Sequence, residues 1–173
     1  MIQKFFITVF IVLPLSLLLK DPEGLGKRID REIKDEFDIS SYQHQGVEIS
    51  DSMKRQLPAR ITKENFFQLK NEGKLIGYAY LDKAPSKTAE FDYLVIFDKD
   101  LVIARTKVLV YREEYGGEIG SKRWLRQFTG KSKSTELNNI AAISGATISV
   151  RSMKRAVKDL LASIEVLQEN KVL

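Results

Sequence analysis

The chain has 173 residues, which is enough for one domain preceded by a leader and too few for two independent hydrophobic cores. It contains no cysteine and a single histidine, His44, so disulfides, thiolate metal sites and cysteine nucleophiles are excluded, and a histidine-built metal site or a Ser-His-Asp triad is disfavoured. The formal net charge of +5 comes from 28 basic and 23 acidic residues that are interleaved along the chain, which indicates a mildly basic, solvated surface and no nucleic-acid partner.

The N-terminal segment is apolar. Residues 5–19 contain no charged side chain, while Lys4 precedes them and Lys20 follows them. This anatomy is typical of a signal peptide or a membrane anchor, and we assign residues 1–20 to it. The positive-inside rule favours a cytoplasmic domain, because one basic residue precedes the run and five follow it, whereas a short leader can be translocated as a loop. We expect an exported domain on the periplasmic or extracytoplasmic face of the cytoplasmic membrane.

Residues 21–45 form a charged segment between the apolar run and the main domain. Ile29, Ile33 and Phe37 recur every four positions and predict a helix over residues 27–37 with a narrow apolar stripe. Such a helix suits a stalk or a docking helix. Residues 51–57 predict a further short helix, with Ser50 as its N-cap.

The middle of the chain predicts two antiparallel hairpins. Residues 65–69 and 75–81 flank a turn that contains Gly73, which suits a position with positive φ. Residues 91–97 and 101–111 flank Asp98-Lys99-Asp100. All four segments are rich in β-branched and aromatic residues, as strands are.

Two helices complete the predicted fold. Trp124, Leu125 and Phe128 lie at helical spacing, and Gly130 suits a helix stop. Residues 148–169 carry apolar side chains at the i, i+3, i+4, i+7 rhythm of a long amphipathic helix. We therefore expect one α+β domain over residues 46–173, with a small antiparallel sheet packed against the long C-terminal helix and the short helix.

The turn before the last helix is the best candidate for a functional site. Residues 143–147 (ISGAT) place small and hydroxyl side chains at a helix N-terminus, where free N–H groups and the helix dipole favour a phosphate. Arg151 and Lys154 could add cationic contacts. The alternative needs no ligand, because serine and threonine are preferred N-caps. The residues alone thus define a candidate anion site and nothing finer.

Residues 144–147 (SGAT), at the start of an amphipathic C-terminal helix, resemble the flavinylation motif of the FMN-binding domain family. That family includes subunits of the sodium-translocating NADH:quinone reductase and of the related Rnf complex. In these proteins a flavin transferase takes FMN from FAD and joins its phosphate to the motif threonine. The resemblance implies an electron-transfer flavoprotein with FMN in phosphoester linkage to Thr147, and with Ser144, Gly145 and Ala146 as the recognition turn.

A second block supports the resemblance. Residues 115–120 (YGGEIG) and 124–131 (WLRQFTGK) are similar to the glycine-rich segment and the short helix that lie near the flavin in the family. Trp124 could stack on the flavin ring, although a tryptophan at this spacing more often belongs to the core. Besides the SGAT turn, the candidate cofactor-binding residues are Tyr115, Gly116, Gly117, Glu118, Trp124 and Lys154.

The sequence departs from the family pattern at two places. Ala141 occupies the position, three residues before Ser144, where the family often has an acidic residue; if the transferase needs that carboxylate, modification is inefficient or absent, which favours a flavin-free module. YGGEIG replaces the ETPGLG typical of the respiratory subunits, which points to a stand-alone or divergent member. The implied partners are a flavin transferase and a membrane redox partner. The alternatives are an interaction module of a membrane-associated complex that binds flavin non-covalently or not at all, and a hydrolase that uses Ser144 or Thr147, for which the motif offers no base.

Overall fold

The structure, a computed structural model, describes residues 24–173 and is built around a five-stranded antiparallel sheet whose strands follow one another in chain order. The strands are β1 (Gln43–Gly46), β2 (Phe66–Asn71), β3 (Lys74–Pro85), β4 (Glu90–Asp98) and β5 (Ile103–Val110). The helices are α1 (Leu25–Phe37), α2 (Asp51–Lys54), α3 (Lys122–Leu125) and α4 (Thr147–Glu169), and short 3₁₀ turns lie between β5 and α4. The predicted α+β class is confirmed.

The turns explain where the strands end. Glu72 and Gly73 have φ of 49° and 77°, the left-handed pair of a two-residue hairpin turn that suits the twist of β2 and β3. β3 extends four residues beyond its predicted end, because Pro85 pairs with Glu90 at the far end of the next hairpin. β5 begins two residues later than predicted, because Leu101, at φ of 62°, belongs to the turn.

The larger hydrophobic core lies between the sheet and α4. Alternate residues of each strand point to this face, so β4 contributes side chains at every second position of residues 91–97. From α4 the contributors recur at helical spacing, as predicted, and are fully or almost fully buried: Val150, Met153, Val157, Leu160, Leu161, Ile164 and Leu167. Burial on this scale makes α4 the main partner of the sheet.

α1 packs on the opposite face of the sheet, so of the two alternatives for this segment the structure shows the docking helix. Ile29 and Ile33 are 1% and 0% exposed. The buried carboxylate of Glu32 lies 3.1 Å from Arg105 Nη1 and 2.9 Å from Lys107 Nζ. Burial by itself would raise the pKa of Glu32, but hydrogen bonds from Lys107 and Arg105 offset it and the pKa lies below its ordinary value.

β1 is the element that the sequence pattern does not predict. Its residues, Gln43–Gly46, contain no aliphatic side chain and therefore no apolar alternation. His44 is half-buried, with its ring edge-on to Phe67 at a centroid distance of 5.5 Å. Burial lowers the pKa of His44 and favours a neutral imidazole, which indicates a structural role in the sheet edge.

The predicted signal peptide or anchor, residues 1–20, lies outside the described residues. Among residues 24–173, no helix has the length and apolar character needed to cross a bilayer.

Candidate functional site

The SGAT turn leads directly into α4, with Thr147 as the first helical residue. Ala146 occupies the N-cap position, so no side chain caps the helix and the first turn contains no acidic residue. Within the described chain, the hydroxyls of Ser144 and Thr147 have no hydrogen-bond partner, and both residues are exposed. The interpretation of these residues as caps is therefore wrong. The turn leaves both hydroxyls and the first helical N–H groups free to meet a ligand.

The glycine-rich loop packs against this turn at Gly116. Gly116 has a φ of 84°, and a Cβ built on it would lie 2.8 Å from the Tyr111 hydroxyl oxygen and 3.4 Å from the Cβ of Ala146. Any larger residue would be strained in its backbone and would push the loop away from Ala146. The structure thus brings the two motif blocks together, although 30 positions separate them.

Tyr111 connects the same two blocks by hydrogen bonds. Its hydroxyl donates to the carbonyl oxygen of Tyr115 at 3.1 Å and lies 3.0 Å from Ser149 Oγ. Because the single phenolic proton is used on Tyr115, Ser149 donates the second hydrogen bond. Ser149 is only 3% exposed, so this bond also satisfies a buried hydroxyl in the first turn of α4.

The segment that enters the SGAT turn is fixed by three side chains. Trp124 Nε1 donates to the carbonyl of Ala141 at 2.7 Å, and the N–H of Ala141 donates to Gln127 Oε1 at 2.8 Å. Lys154 Nζ donates to the carbonyl of Ile140 at 2.8 Å. The backbone before the turn therefore rests on α3 and its following turn on one side and on α4 on the other.

These contacts change the roles expected for two candidates. Trp124 is 4% exposed, and its ring packs edge-on against Phe128 at a centroid distance of 5.2 Å. Of the two roles considered for Trp124, stacking on the flavin ring or packing in the core, the structure shows packing in the core. Lys154, expected as a phosphate contact, uses one of its three N–H donors on the backbone carbonyl of Ile140. Both residues act on the turn indirectly, through residues 140 and 141.

The remaining candidates are exposed. Tyr115 is 82% and Ile148 is 51% exposed, and among the described residues only Val172 joins them as an exposed large hydrophobic residue. Gly117 and Glu118 open the 3₁₀ turn after Gly116 and are also exposed. Two apolar side chains in water beside a free Thr147 hydroxyl offer a surface for a planar aromatic ligand.

The β3–β4 loop and the end of β3 are hydrogen-bonded to the start of the glycine-rich loop and to α4. The carboxylate of Glu113 accepts hydrogen bonds from Ser86 Oγ at 2.6 Å, from the N–H of Thr88 at 2.6 Å and from the N–H of Ala89 at 3.1 Å. Ser152 of α4 donates to the carbonyl of Pro85 in the same region. The start of the glycine-rich loop and the second turn of α4 are therefore both tied to one loop of the sheet.

Other features of the described chain lie apart from this site. A cleft of about 360 Å³ lies between α1, β5 and α3, and none of residues 144–148 lines it. Residues 24–173 contain no cluster of side chains suited to a metal ion. Neither Ser144 nor Thr147 has a histidine or carboxylate as hydrogen-bond partner in that range, so the hydrolase alternative lacks a base there as well.

Comparison with known proteins now identifies the class. The family model of the FMN-binding domain matches residues 88–162, which run from the end of the β3–β4 loop into α4 and include both motif blocks. The resemblance seen in the sequence is thereby confirmed over these residues.

The fold is similar to that in the crystal structure of Shewanella oneidensis NqrC. The TM-score is 0.54 and the sequence identity is 16%, with 82% of this chain and 87% of that chain covered. At this identity the likeness concerns the fold alone. No curated protein matches the chain.

The structure adds site residues that sequence reasoning missed, namely Tyr111, Gln127, Glu113 and Ser149. Each acts through a partner between 14 and 38 positions away along the chain. Ser149 stands two residues after Thr147, but nothing in the sequence pairs it with Tyr111.

Proposed function

We propose that this protein is a membrane-associated, extracytoplasmic electron-transfer flavoprotein that carries FMN in phosphoester linkage to Thr147. The observation that carries the proposal is the free, exposed Thr147 hydroxyl at an uncapped helix N-terminus, inside a segment that matches the FMN-binding domain. Electron transfer is the chemistry that FMN supplies when bound, and the protein's part is to attach, place and shield it.

The residues fit a phosphate on Thr147. The N–H groups of the first turn of α4 have no side-chain cap, and the helix dipole adds partial positive charge there. Arg151 lies one turn further on the exposed side of α4 and can neutralise the phosphate charge. Ser144 and Gly145 are exposed, so a modifying enzyme can reach the turn.

Attachment requires a flavin transferase and FAD. The Thr147 oxygen forms a bond to the FMN phosphorus of FAD, the pyrophosphate bond breaks and AMP leaves. The hydroxyl proton passes to a base of the transferase. Among residues 24–173 no carboxylate is hydrogen-bonded to the Thr147 hydroxyl, so we assign the base to the transferase.

The flavin ring would rest on the exposed apolar surface beside the turn. Tyr115 and Ile148 provide aromatic and aliphatic contact area. The tight packing of Gly116 against Ala146 keeps the loop that carries Tyr115 close to Thr147. Glu118, expected beside the flavin, stays a candidate contact at the edge of this surface.

The location and the partners are parts of the same proposal. A leader or anchor in residues 1–20 would bring the domain to the outer face of the membrane, where a covalent bond prevents loss of FMN by diffusion. A membrane redox partner would deliver or remove the electrons.

The intact mass of the full chain tests the proposal, after co-expression with a flavin transferase. We expect an added mass of one FMN less one water, together with yellow colour that survives denaturation. Thr147→Ala should lose both, whereas Thr135→Ala, at another exposed threonine without a hydrogen-bonded hydroxyl, should keep both. An unmodified mass in all three proteins would contradict covalent attachment and favour the flavin-free or non-covalent interaction module, to which Ala141 already points.

A further inference from the structure

Positive charge is concentrated around the SGAT turn. Residues 115–160 contain nine basic and three acidic residues, an excess of six positive charges. The rest of the chain contains nineteen basic and twenty acidic residues, so its net charge is −1. Although basic and acidic residues are interleaved along the chain as a whole, residues 115–160 therefore form one strongly basic region.

Besides Lys133 and Lys158, five exposed cations of this region form no ion pair with a carboxylate within the described residues. We call them the basic surface: Lys122, Arg123, Arg126, Arg151 and Arg155. Elsewhere Arg105 and Lys107 are paired with Glu32. The basic surface lies on α4, on α3 and on the 3₁₀ turn after α3, and two of its cations, Lys122 and Arg126, also line the cleft between α1, β5 and α3. α3 reaches residues 140 and 141 through Trp124, and α4 reaches them through Lys154.

The fold itself gives no reason for this arrangement. Arg151 and Arg155 are four positions apart on α4, where two like charges repel each other. They also follow a helix N-terminus that lacks any acidic residue, although that end of a helix favours acids. Because Arg151 and Arg155 are electrostatically unfavourable for α4 itself, their presence indicates a partner of opposite charge outside the protein.

A phosphate on Thr147 accounts for only part of the surface. Arg151 is one turn from Thr147, but Arg155 is two turns away and Lys122, Arg123 and Arg126 belong to α3 and the 3₁₀ turn after it. Along the chain the exposed Ile148 lies between Arg126 and Arg151, and the exposed Tyr115 precedes Lys122. Apolar contacts with a charged surround are the composition of a transient protein interface.

We propose that the basic surface binds an acidic protein, which docks beside the flavin of Thr147 as its redox partner. The inference rests on the proposed function for the identity of that partner as a redox protein. Four of the five cations are arginines, whose planar guanidinium binds a carboxylate through two parallel hydrogen bonds. Arginine also binds phosphate in this geometry, so the choice of a protein over a lipid surface rests on the exposed apolar side chains of Tyr115 and Ile148.

Binding of an acidic peptide tests the surface without any flavin. A 12-residue polyglutamate peptide, added to the unmodified ¹⁵N-labelled protein at low salt, should shift the amide signals of residues 120–127 and 147–158 and should release on addition of salt. Arg123→Glu with Arg126→Glu should weaken binding about tenfold or more, and the milder Arg123→Gln with Arg126→Gln should weaken it less.

A matched control changes the same charge elsewhere. Lys74 and Arg55 are exposed and have no carboxylate partner in the described structure. Lys74 opens β3, roughly 35 Å along the strand from Pro85, which contacts α4. Lys74→Glu with Arg55→Glu should leave peptide binding within about twofold of the parent. Equal losses in both double variants, or amide shifts spread over the whole protein, would overturn the docking surface.

The flavin-loaded protein supplies the second readout. One reduced flavin is oxidised by two ferricyanide ions, each of which gains one electron, while the flavin protons pass to the buffer. The rate should fall about tenfold or more between low and high salt, and Arg123→Glu with Arg126→Glu should slow it at low salt, unlike the control. Salt-independent oxidation would overturn the placement beside the flavin.

The experiments also distinguish a failure of the proposed function from a failure of the docking proposal. If the protein stays without flavin after co-expression with a flavin transferase but still binds polyglutamate at the basic surface, the proposed function is contradicted and the docking surface is supported. Binding to vesicles that contain phosphatidylglycerol through these five cations, with no binding to polyglutamate, would overturn the acidic protein in favour of a membrane surface.

Discussion

The sheet and the segment between β5 and α4 differ in how their backbones are held. The strands of the sheet pair in regular antiparallel ladders, and α4 contributes seven buried apolar residues to the larger core. Residues 111–146 contain only 3₁₀ turns and one four-residue helix. They also bury apolar side chains in that core, among them Ile119, Phe128 and Leu137, but the course of their backbone depends on hydrogen bonds between side chains and backbone. A substitution that removes buried apolar volume should therefore disturb stability, and one that removes such a hydrogen bond should disturb the placement of the SGAT turn.

The largest expected effect comes from the core of α4. Leu160 is 0% exposed, so Leu160→Ala should lower the free energy of unfolding by about 2–5 kcal/mol through lost apolar burial and a cavity. Urea unfolding followed by circular dichroism measures this loss. Lys158→Ala, at an exposed position on the same helix, should stay within about 0.5 kcal/mol of the parent. FMN attached per folded molecule should be unchanged in both variants. A loss below about 1 kcal/mol in Leu160→Ala would show that α4 is not the main partner of the sheet.

A smaller effect is expected where the site segment is fixed. Trp124→Phe retains an aromatic ring against Phe128 but removes the donor to the Ala141 carbonyl, at a cost of about 1 kcal/mol. Hydrogen exchange should accelerate at residues 140–147 more than in the sheet, because the opening is local.

Gln127→Ala provides the companion measurement, since it removes the acceptor of the Ala141 N–H and should accelerate exchange of that amide in particular. Equal acceleration throughout the sheet in either variant would mean that the segment and the core unfold as one unit, and the distinction between the two regions would fail.

The same difference explains what the sequence could predict. The apolar and aromatic run of β4 and the periodic apolar pattern of α4 identify the elements that build the core, and the short polar strand β1 has neither. The sequence identifies the SGAT turn and the glycine-rich loop because each motif is a continuous stretch of residues. Tyr111 could not be found, because its role depends on Ser149, 38 positions away, and only the folded chain brings the two hydroxyls within 3.0 Å.

Trp124 shows that the sequence can predict one role of a residue and miss another. Its spacing beside Leu125 and Phe128 favours the core, and the structure agrees, but its indole N–H also fixes Ala141. Ala141 is the position where the family pattern would place an acid. The backbone of that residue is held at both its N–H and its carbonyl, which identifies a structural function for the position that the alanine side chain does not reveal.

Glu113, at the junction of the two regions, gives the smallest predicted effect and a test by pH. The hydrogen bond from Ser86, followed by those from the Thr88 and Ala89 N–H groups and the Thr88 hydroxyl, lowers the pKa of Glu113 to about 2. Because the folded pKa lies below the unfolded value of 4.5, the bonds contribute stability at pH above 4.5, and that contribution is lost as pH falls towards 2. The loop should thus stay fixed throughout the neutral range and be released only in strong acid.

The amide signals of Thr88 and Ala89 report this titration, because both N–H groups donate to the Glu113 carboxylate. At pH 3 they should retain more than half of their shift difference in the parent protein, and Glu113→Gln should remove the titration. The amides of Ser132 and Lys133, which donate to Glu136, should titrate alike in both proteins and serve as the internal control. A midpoint near pH 4.5 for Thr88 would mean that the loop is not fixed by the carboxylate. In that case the apolar core alone would hold the glycine-rich loop against α4, and the two regions would not differ in how their backbones are held.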